Sequence, residues 1–116
     1  MQATTAMSDA LGKYLDLTSA QMKLTAGNMA NVDTPGFRTK DVNFQSAMRQ
    51  VMDEGNTFRL EPVAQEVIGL PERPDGNNVS IDRESMLLSQ TQLQFQLGVQ
   101  LVKSQFHTLY SAMRDN

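Results

Sequence analysis

Asn31-Val32-Asp33-Thr34-Pro35-Gly36-Phe37 (NVDTPGF) closes a long helical pattern and carries more local chemistry than a plain linker needs. Asn31 is a suitable C-terminal cap, because Asn tolerates the left-handed conformation better than most residues. Pro35 disfavours helical backbone at Thr34. Thr34-Pro35-Gly36-Phe37 then fits a type II turn, with Pro35 pre-setting φ at the second position and Gly36 accepting a positive φ at the third. A helix end, a sharp turn and an aromatic anchor in succession set the direction in which the chain leaves the helix. Two readings follow from the residues: an ordinary helix C-terminus with a surface turn, or a contact element with Phe37 placed to plug a pocket.

Upstream, residues 7–30 read as one amphipathic helix. Leu11, Leu15, Thr18, Met22, Thr25 and Met29 recur at alternating steps of four and three, which places them on one stripe. Gly27 weakens the last turn by about 1 kcal/mol relative to Ala.

Downstream, the chain divides into three parts: a helix with a short polar lead (1–32), a mixed middle (33–80) and a second long helix with a polar tail (81–116). Pro35, Gly36, Gly55, Pro62, Gly69, Pro71, Pro74 and Gly76 punctuate the middle. Residues 44–52 suit a short helix with Phe44, Met48 and Val51 on one side, ended by Gly55-Asn56. Residues 63–70 suit a short strand or extended segment, and 71–78 are turn chemistry throughout. A loop-rich segment this long inside a compact domain is functional or ordered against partners.

The second helix is expected to open at Ser80 or Asp82 as N-cap, with Glu84 in the first turn. Leu88, Gln92, Phe95, Val99, Val102, Phe106, Leu109 and Met113 form a heptad seam with one polar interruption. Leu93, Leu97 and Leu101 add a second apolar flank. Residues 85–102 contain no charge, and Lys23 is the only charge in residues 17–32. A solvated helix face normally carries Lys and Glu in i,i+4 pairs. Amides and hydroxyls accept burial if they find hydrogen-bond partners. Both helices therefore read as enclosed on all sides in the working state, which requires other subunits.

The fold class expected is mainly α: long N- and C-terminal helices pairing as an antiparallel coiled-coil hairpin around an irregular middle. At 116 residues the chain is one domain in length. Without cysteine it has no disulfide or thiolate site. A net charge of −3 and a pI near 5.0 argue against general nucleic-acid binding. No apolar run is long enough to span a membrane. The start, MQATTAMSDALGKYL, lacks a basic segment followed by an apolar core, so no Sec-type signal peptide is expected.

A search for catalytic chemistry finds none. His107 is the only histidine, and no nucleophile in a suitable setting accompanies it. DGNNVSIDRE, residues 75–84, superficially suggests a calcium loop but fails the EF-hand glycine spacing. Walker, dinucleotide and nucleophile-elbow motifs are absent. The reading is no enzyme, no cofactor, no metal and no small-molecule substrate. The eight methionines read as core or interface filling.

Asn28, Ala30, Asn31, Thr34, Pro35, Gly36 and Phe37, in the pattern N-x-A-N-x-x-T-P-G-F after a long helix, resemble the flagellar basal-body rod family of bacteria. The segments FRTKDVNF (37–44), DGNNVSIDRE (75–84), FQLGVQL (95–101) and residues 106–113 look like that family too, in particular its proximal rod members. One departure is Gln94-Phe95, where the family commonly has a Tyr nearby. The resemblance implies a structural subunit of the rod, the drive shaft that crosses the periplasm. It implies export through the flagellar type III apparatus without a cleaved signal. Its implied partners are other rod proteins, the rod-base adaptor and MS ring, and the export gate, in homo- and hetero-assembly. Leu11, Leu15, Met22, Met29, Leu88, Phe95, Val99, Val102, Phe106, Leu109 and Met113 are the expected assembly interface. Other readings are another flagellar axial protein, or a soluble coiled-coil adaptor or export chaperone.

Overall fold

Two long helices run antiparallel and are joined through a small ribbon and a short third helix. The computed structural model describes residues 2–53 and 63–114. In chain order the elements are α1 (Gln2–Ala30), β1 (Lys40–Val42), α2 (Phe44–Asp53), β2 (Ala64–Glu66) and α3 (Ile81–Arg114). The molecule is elongated, 67 × 26 × 16 Å. The mainly helical hairpin expected from the sequence is present. Gly55-Asn56, the expected end of α2, lies outside the described residues.

Helix α1 starts earlier than its apolar stripe suggested and absorbs the polar lead. It ends as its sequence demands. The Asn31 amide Nδ2 donates to the Gly27 carbonyl at 2.7 Å, and the Asn31 N–H reaches the same carbonyl at 3.1 Å. The cap thus works through the side chain, which adds a second hydrogen bond to a carbonyl of the last turn. At the same end of the hairpin Ser80 caps α3, its hydroxyl accepting from the Arg83 N–H at 3.3 Å. Asp82 and Glu84 sit in the first turn, where the helix dipole favours negative charge.

β1 has no counterpart in the sequence reading. Its three residues pair antiparallel with β2, Lys40 opposite Glu66 and Val42 opposite Ala64. A three-residue run is too short to carry a visible alternation. Its partner β2 falls within the stretch read as extended. Helix α2 packs on α1, with the Tyr14 and Phe44 rings edge-to-face at a centroid distance of 5.6 Å. Burial pushes the Tyr14 phenol above its usual pKa, so it stays neutral.

The hairpin's inner row is polar. Thr18, Gln21, Thr25 and Asn28 of α1 are buried together with Glu84 and Thr91 of α3. Among the described residues the buried apolar ones are Leu17, Val42 and Val79. On α3 the positions facing α1 are Glu84, Thr91 and Gly98, with Leu88, Phe95 and Leu109 half-buried beside them. This line is rotated from the apolar heptad read in the sequence. Leu88, Phe95 and Leu109 belong to both lines, and Val102 is exposed. Gln92, Phe106 and Met113 face outward, and Val99 is half-buried. Leu11, Leu15, Met22 and Met29 of α1 are likewise half-buried flanks.

The reason is the distance between the helices. A Cβ added at Gly98 would stand 2.7 Å from Leu15 Cδ2 and 3.0 Å from the Tyr14 ring. The Leu15 and Tyr14 side chains fill the space that a side chain at position 98 would need, and Gly leaves it to them. Small residues therefore take the centre line, and the bulky apolar ones are displaced to its margins.

Candidate functional site

The two conspicuous polar stretches of the sequence, N-x-A-N-x-x-T-P-G-F and DGNNVSIDRE, meet at the base of the hairpin. Their contact begins with the turn. Gly36 has φ 75° and the Phe37 N–H donates to the Thr34 carbonyl at 3.2 Å, as a type II turn requires. The Gly36 N–H donates to the Asp75 carbonyl at 2.9 Å. Gly76, with φ 85°, closes a second turn whose N–H donates to the Arg73 carbonyl at 2.8 Å. A Cβ on Gly76 would lie 3.5 Å from the Gly36 Cα, so the two glycine turns are stacked backbone to backbone.

Side-chain amides then stitch the segments together. Asn77 Nδ2 donates to the Asn31 and Thr34 carbonyls at 2.9 and 2.8 Å, and its Oδ1 accepts from the Val79 N–H at 2.8 Å. Asn78 Oδ1 accepts from the Thr39 N–H at 2.7 Å and from the Thr39 hydroxyl at 2.9 Å. Asn28 works in the same manner on β1, donating from Nδ2 to the Lys40 carbonyl at 2.8 Å and accepting from the Lys40 N–H at 3.1 Å. Gln21 Oε1 accepts from the Val42 N–H at 3.4 Å. The inner edge of a two-stranded ribbon would otherwise bury unpaired backbone groups. Asn28 and Gln21 of α1 stand in for the missing third strand.

Charge enters this junction at two places. Glu84 is fully buried, its Oε2 accepting from Asn28 Nδ2 at 3.3 Å and its Oε1 from Arg83 Nη1 at 2.7 Å. Arg83 also reaches Asp41 of β1 at 3.0 Å. A buried carboxylate is tolerated only with such partners. Arg73 donates to the carbonyls of Val32 and Val79, bridging the end of α1 to the approach to α3. On the outer side Arg38 pairs with Glu66 at 2.8 Å and Glu72 at 2.6 Å and donates to the Gly76 carbonyl at 3.0 Å. Its hydrogen bonds to Glu66, then Glu72, raise the guanidinium pKa further above its ordinary value. These outer pairs are wet, so they position the ribbon more than they stabilise it.

The motif residues thus fall into two groups. Asn28, Asn31 and Thr34 make the polar contacts, and Pro35 and Gly36 shape the turn. Ala30 is exposed at the helix end, and Phe37 is half-buried beside the junction. Residues the sequence reading passed over are Gln21, Thr39, Asn77, Asn78, Arg73 and Arg83. Their only sequence signal is that the uncharged amides of DGNNVS sit in what is otherwise turn chemistry. Gly36→Ala tests the turn directly. Nothing lies within 4 Å of a Cβ at Gly36, so the cost is backbone strain alone. Thermal unfolding is expected to report a loss of roughly 1–2 kcal/mol.

The second candidate feature is the outer side of α3. Met86, Leu93, Leu97, Phe106 and Met113 are each between 57% and 69% exposed. Leu93, Phe95, Leu97 and Val99, with Gln96 and Gln100, line an open apolar depression. Single exposed apolar residues are ordinary, but so many along one helix, with Leu93 and Leu97 adjacent on one face, mark an interaction surface. Among the described residues no group of three or more His, Asp or Glu gathers as a metal site would require. No described helix is long and apolar enough to cross a membrane.

No family model matches the chain. Individual proteins do. The chain is 26% identical over 120 residues to the flagellar basal body rod protein FlgB of Escherichia coli K12, covering 86% of this chain and 87% of that protein. It is 27% identical to FlgB of Salmonella typhimurium LT2 over the same shares. Bacillus subtilis 168 FlgB is 25% identical, with 89% of each chain covered. Over most of its length, then, the chain is similar to flagellar basal body rod proteins of both Escherichia coli and Bacillus subtilis.

Proposed function

We propose that this chain is a structural subunit of the proximal rod of the bacterial flagellar basal body. It assembles helically with other rod proteins into the shaft that transmits motor torque. One observation carries the reading: the hairpin keeps Thr, Gln and Asn inside and turns Leu93, Leu97, Phe106 and Met113 outward. A free-standing protein does the reverse. Each fully buried Leu or Phe contributes roughly 1.5–3 kcal/mol, and here that burial awaits neighbours. Helices 1–32 and 81–116 form the rod core in this proposal, and 33–80 reaches between subunits with Phe37 inserted at the contact. The uncharged amides of α3 fit such an interface, where they exchange water for partner hydrogen bonds.

The partners are other rod proteins, the rod-base adaptor, the MS ring and the export gate. The subunit is exported by the flagellar type III route to the periplasmic rod without a cleaved signal. It performs no catalysis and needs no cofactor. Its contacts with neighbours are heterologous and repeat along the rod.

The paired substitution Leu93→Asp/Leu97→Asp tests the outer face. Both side chains are more than half exposed, so circular dichroism of the purified chain is expected to be unchanged. Incorporation into basal bodies and swimming are expected to be lost, because charge would be buried in an apolar contact. Normal swimming with normal incorporation would remove the proposed face. A discrete, cooperative oligomer formed by the purified wild-type chain alone would favour a soluble adaptor.

A further inference from the structure

We propose that the buried polar junction of Asn28, Asn77, Asn78 and Glu84 is a register lock, which selects one of several heptad-related alignments of α1 against α3. The row of α3 that faces α1 nearly repeats every seven residues. Thr91, Gly98 and Gln105 occupy one heptad position, and Leu88, Phe95, Val102 and Leu109 occupy the other. Sliding α3 by one heptad, about 10 Å along the axis, puts a small or amide side chain against the same part of α1 and keeps Leu, Phe and Val on the flank. Packing along this seam therefore discriminates between alignments chiefly at Gly98, where the slide sets Gln105 against Leu15 and Tyr14, and the rest of the row is indifferent.

The connection does not choose either. Residues 31–80 separate the helices, far more than the short loops that set the register of a tight hairpin. The polar junction has no such periodicity. Asn28 meets Glu84 at 3.3 Å. A one-heptad slide would bring Thr91 to Asn28 and strand a buried carboxylate. It would also part Asn77 from the Asn31 and Thr34 carbonyls and Asn78 from Thr39. Leaving those groups unpaired opposes the displaced alignment, as a single buried Asn does in coiled coils. The lock also sets how far the outer Leu93–Leu97 row stands from the T-P-G-F turn, two features that rest at opposite places on the hairpin.

The absence of native cysteine permits a direct test by disulfide trapping on the purified chain, independent of any rod. Ser8 Oγ donates to Gln105 Oε1 at 3.2 Å, so S8C/Q105C reports the native alignment. S8C/A112C reports the alignment displaced by one heptad. In the otherwise native chain the first pair is expected to cross-link and the second to stay at background. The lock is opened in two halves, Asn28→Leu/Glu84→Leu and Asn77→Ala/Asn78→Ala, and then in both together. The native-to-displaced ratio is expected to fall by roughly tenfold or more in the combined variant, and by less in each half. Retention of the native pair alone, with helicity intact, would overturn the proposal. Loss of helicity in both half-variants would overturn it as well, since the junction would then supply stability and not register.

Discussion

Gly98→Leu is expected to lower the melting temperature of the purified chain by roughly 10–20 °C. The sign depends on geometry, because glycine is a poor helix former and most substitutions at an exposed helical glycine stabilise. At Gly98 the first added carbon already falls 2.7 Å from Leu15 Cδ2 and 3.0 Å from two atoms of the Tyr14 ring. Leu15 Cδ2 is the far end of a flexible side chain and yields, so Gly98→Ala should be near neutral. The three further carbons of Leu have nowhere to go between the helices. Overpacking of this kind costs about 1–3 kcal/mol. The expected pattern is therefore a small effect for Ala and a large one for Leu, read by circular dichroism on heating. Equal melting temperatures for the native chain and the Gly98→Leu variant would mean that the helices do not approach at this point in solution.

Asn77→Ala is expected to have a comparable effect for a different reason. The side chain is fully buried and makes three hydrogen bonds with the backbone, two donated and one accepted. Truncation leaves two carbonyls and one N–H without partners, each costing about 1–3 kcal/mol where water cannot replace the amide. The carbonyls are partly accessible, so the total should lie near 2–4 kcal/mol. Asn77→Asp separates the contributions. It keeps the acceptor for Val79 N–H and loses both donors, setting a carboxylate against two carbonyl oxygens. Asp should be at least as damaging as Ala, measured by urea unfolding. A loss within about 0.5 kcal/mol for both variants would place Asn77 among ordinary surface residues and dissolve the junction.

Both expectations concern residues that carried little weight in the sequence alone. Gly98 lies off the apolar heptad, and Asn77 lies within turn chemistry. By contrast the T-P-G-F turn was legible in full. Pro restricts φ and Gly permits a positive one, and neither property needs a distant partner. The Ser80 cap and the helical character of 81–114 were legible for the same reason. The rotation of α3 was not. Its apolar heptad and its inner row differ by one step around the helix, and hydrophobic spacing alone puts the bulkier line inside. Close approach at Gly98 puts the smaller line inside instead, leaving apolar side chains for an outer contact.

The candidate junction divides along the same boundary. Asn31 and Thr34 bond within a few residues of themselves, and their role follows from helix-end chemistry. Asn77 bonds to residues 46 and 43 positions away. An amide has two donors and two acceptor lone pairs and accepts almost any backbone partner. Its sequence position therefore carries no sign of which partner it finds. By itself the sequence determined the two helices and the turn between the first helix and the middle, because each rests on sterics and hydrogen bonds within about one turn of chain; the family resemblance rests on the motifs alone. Only the tertiary structure decided which face of α3 lies inside and which distant amides close the base of the hairpin. Those choices depend on how near two backbones come, and that distance is a property of the packed pair.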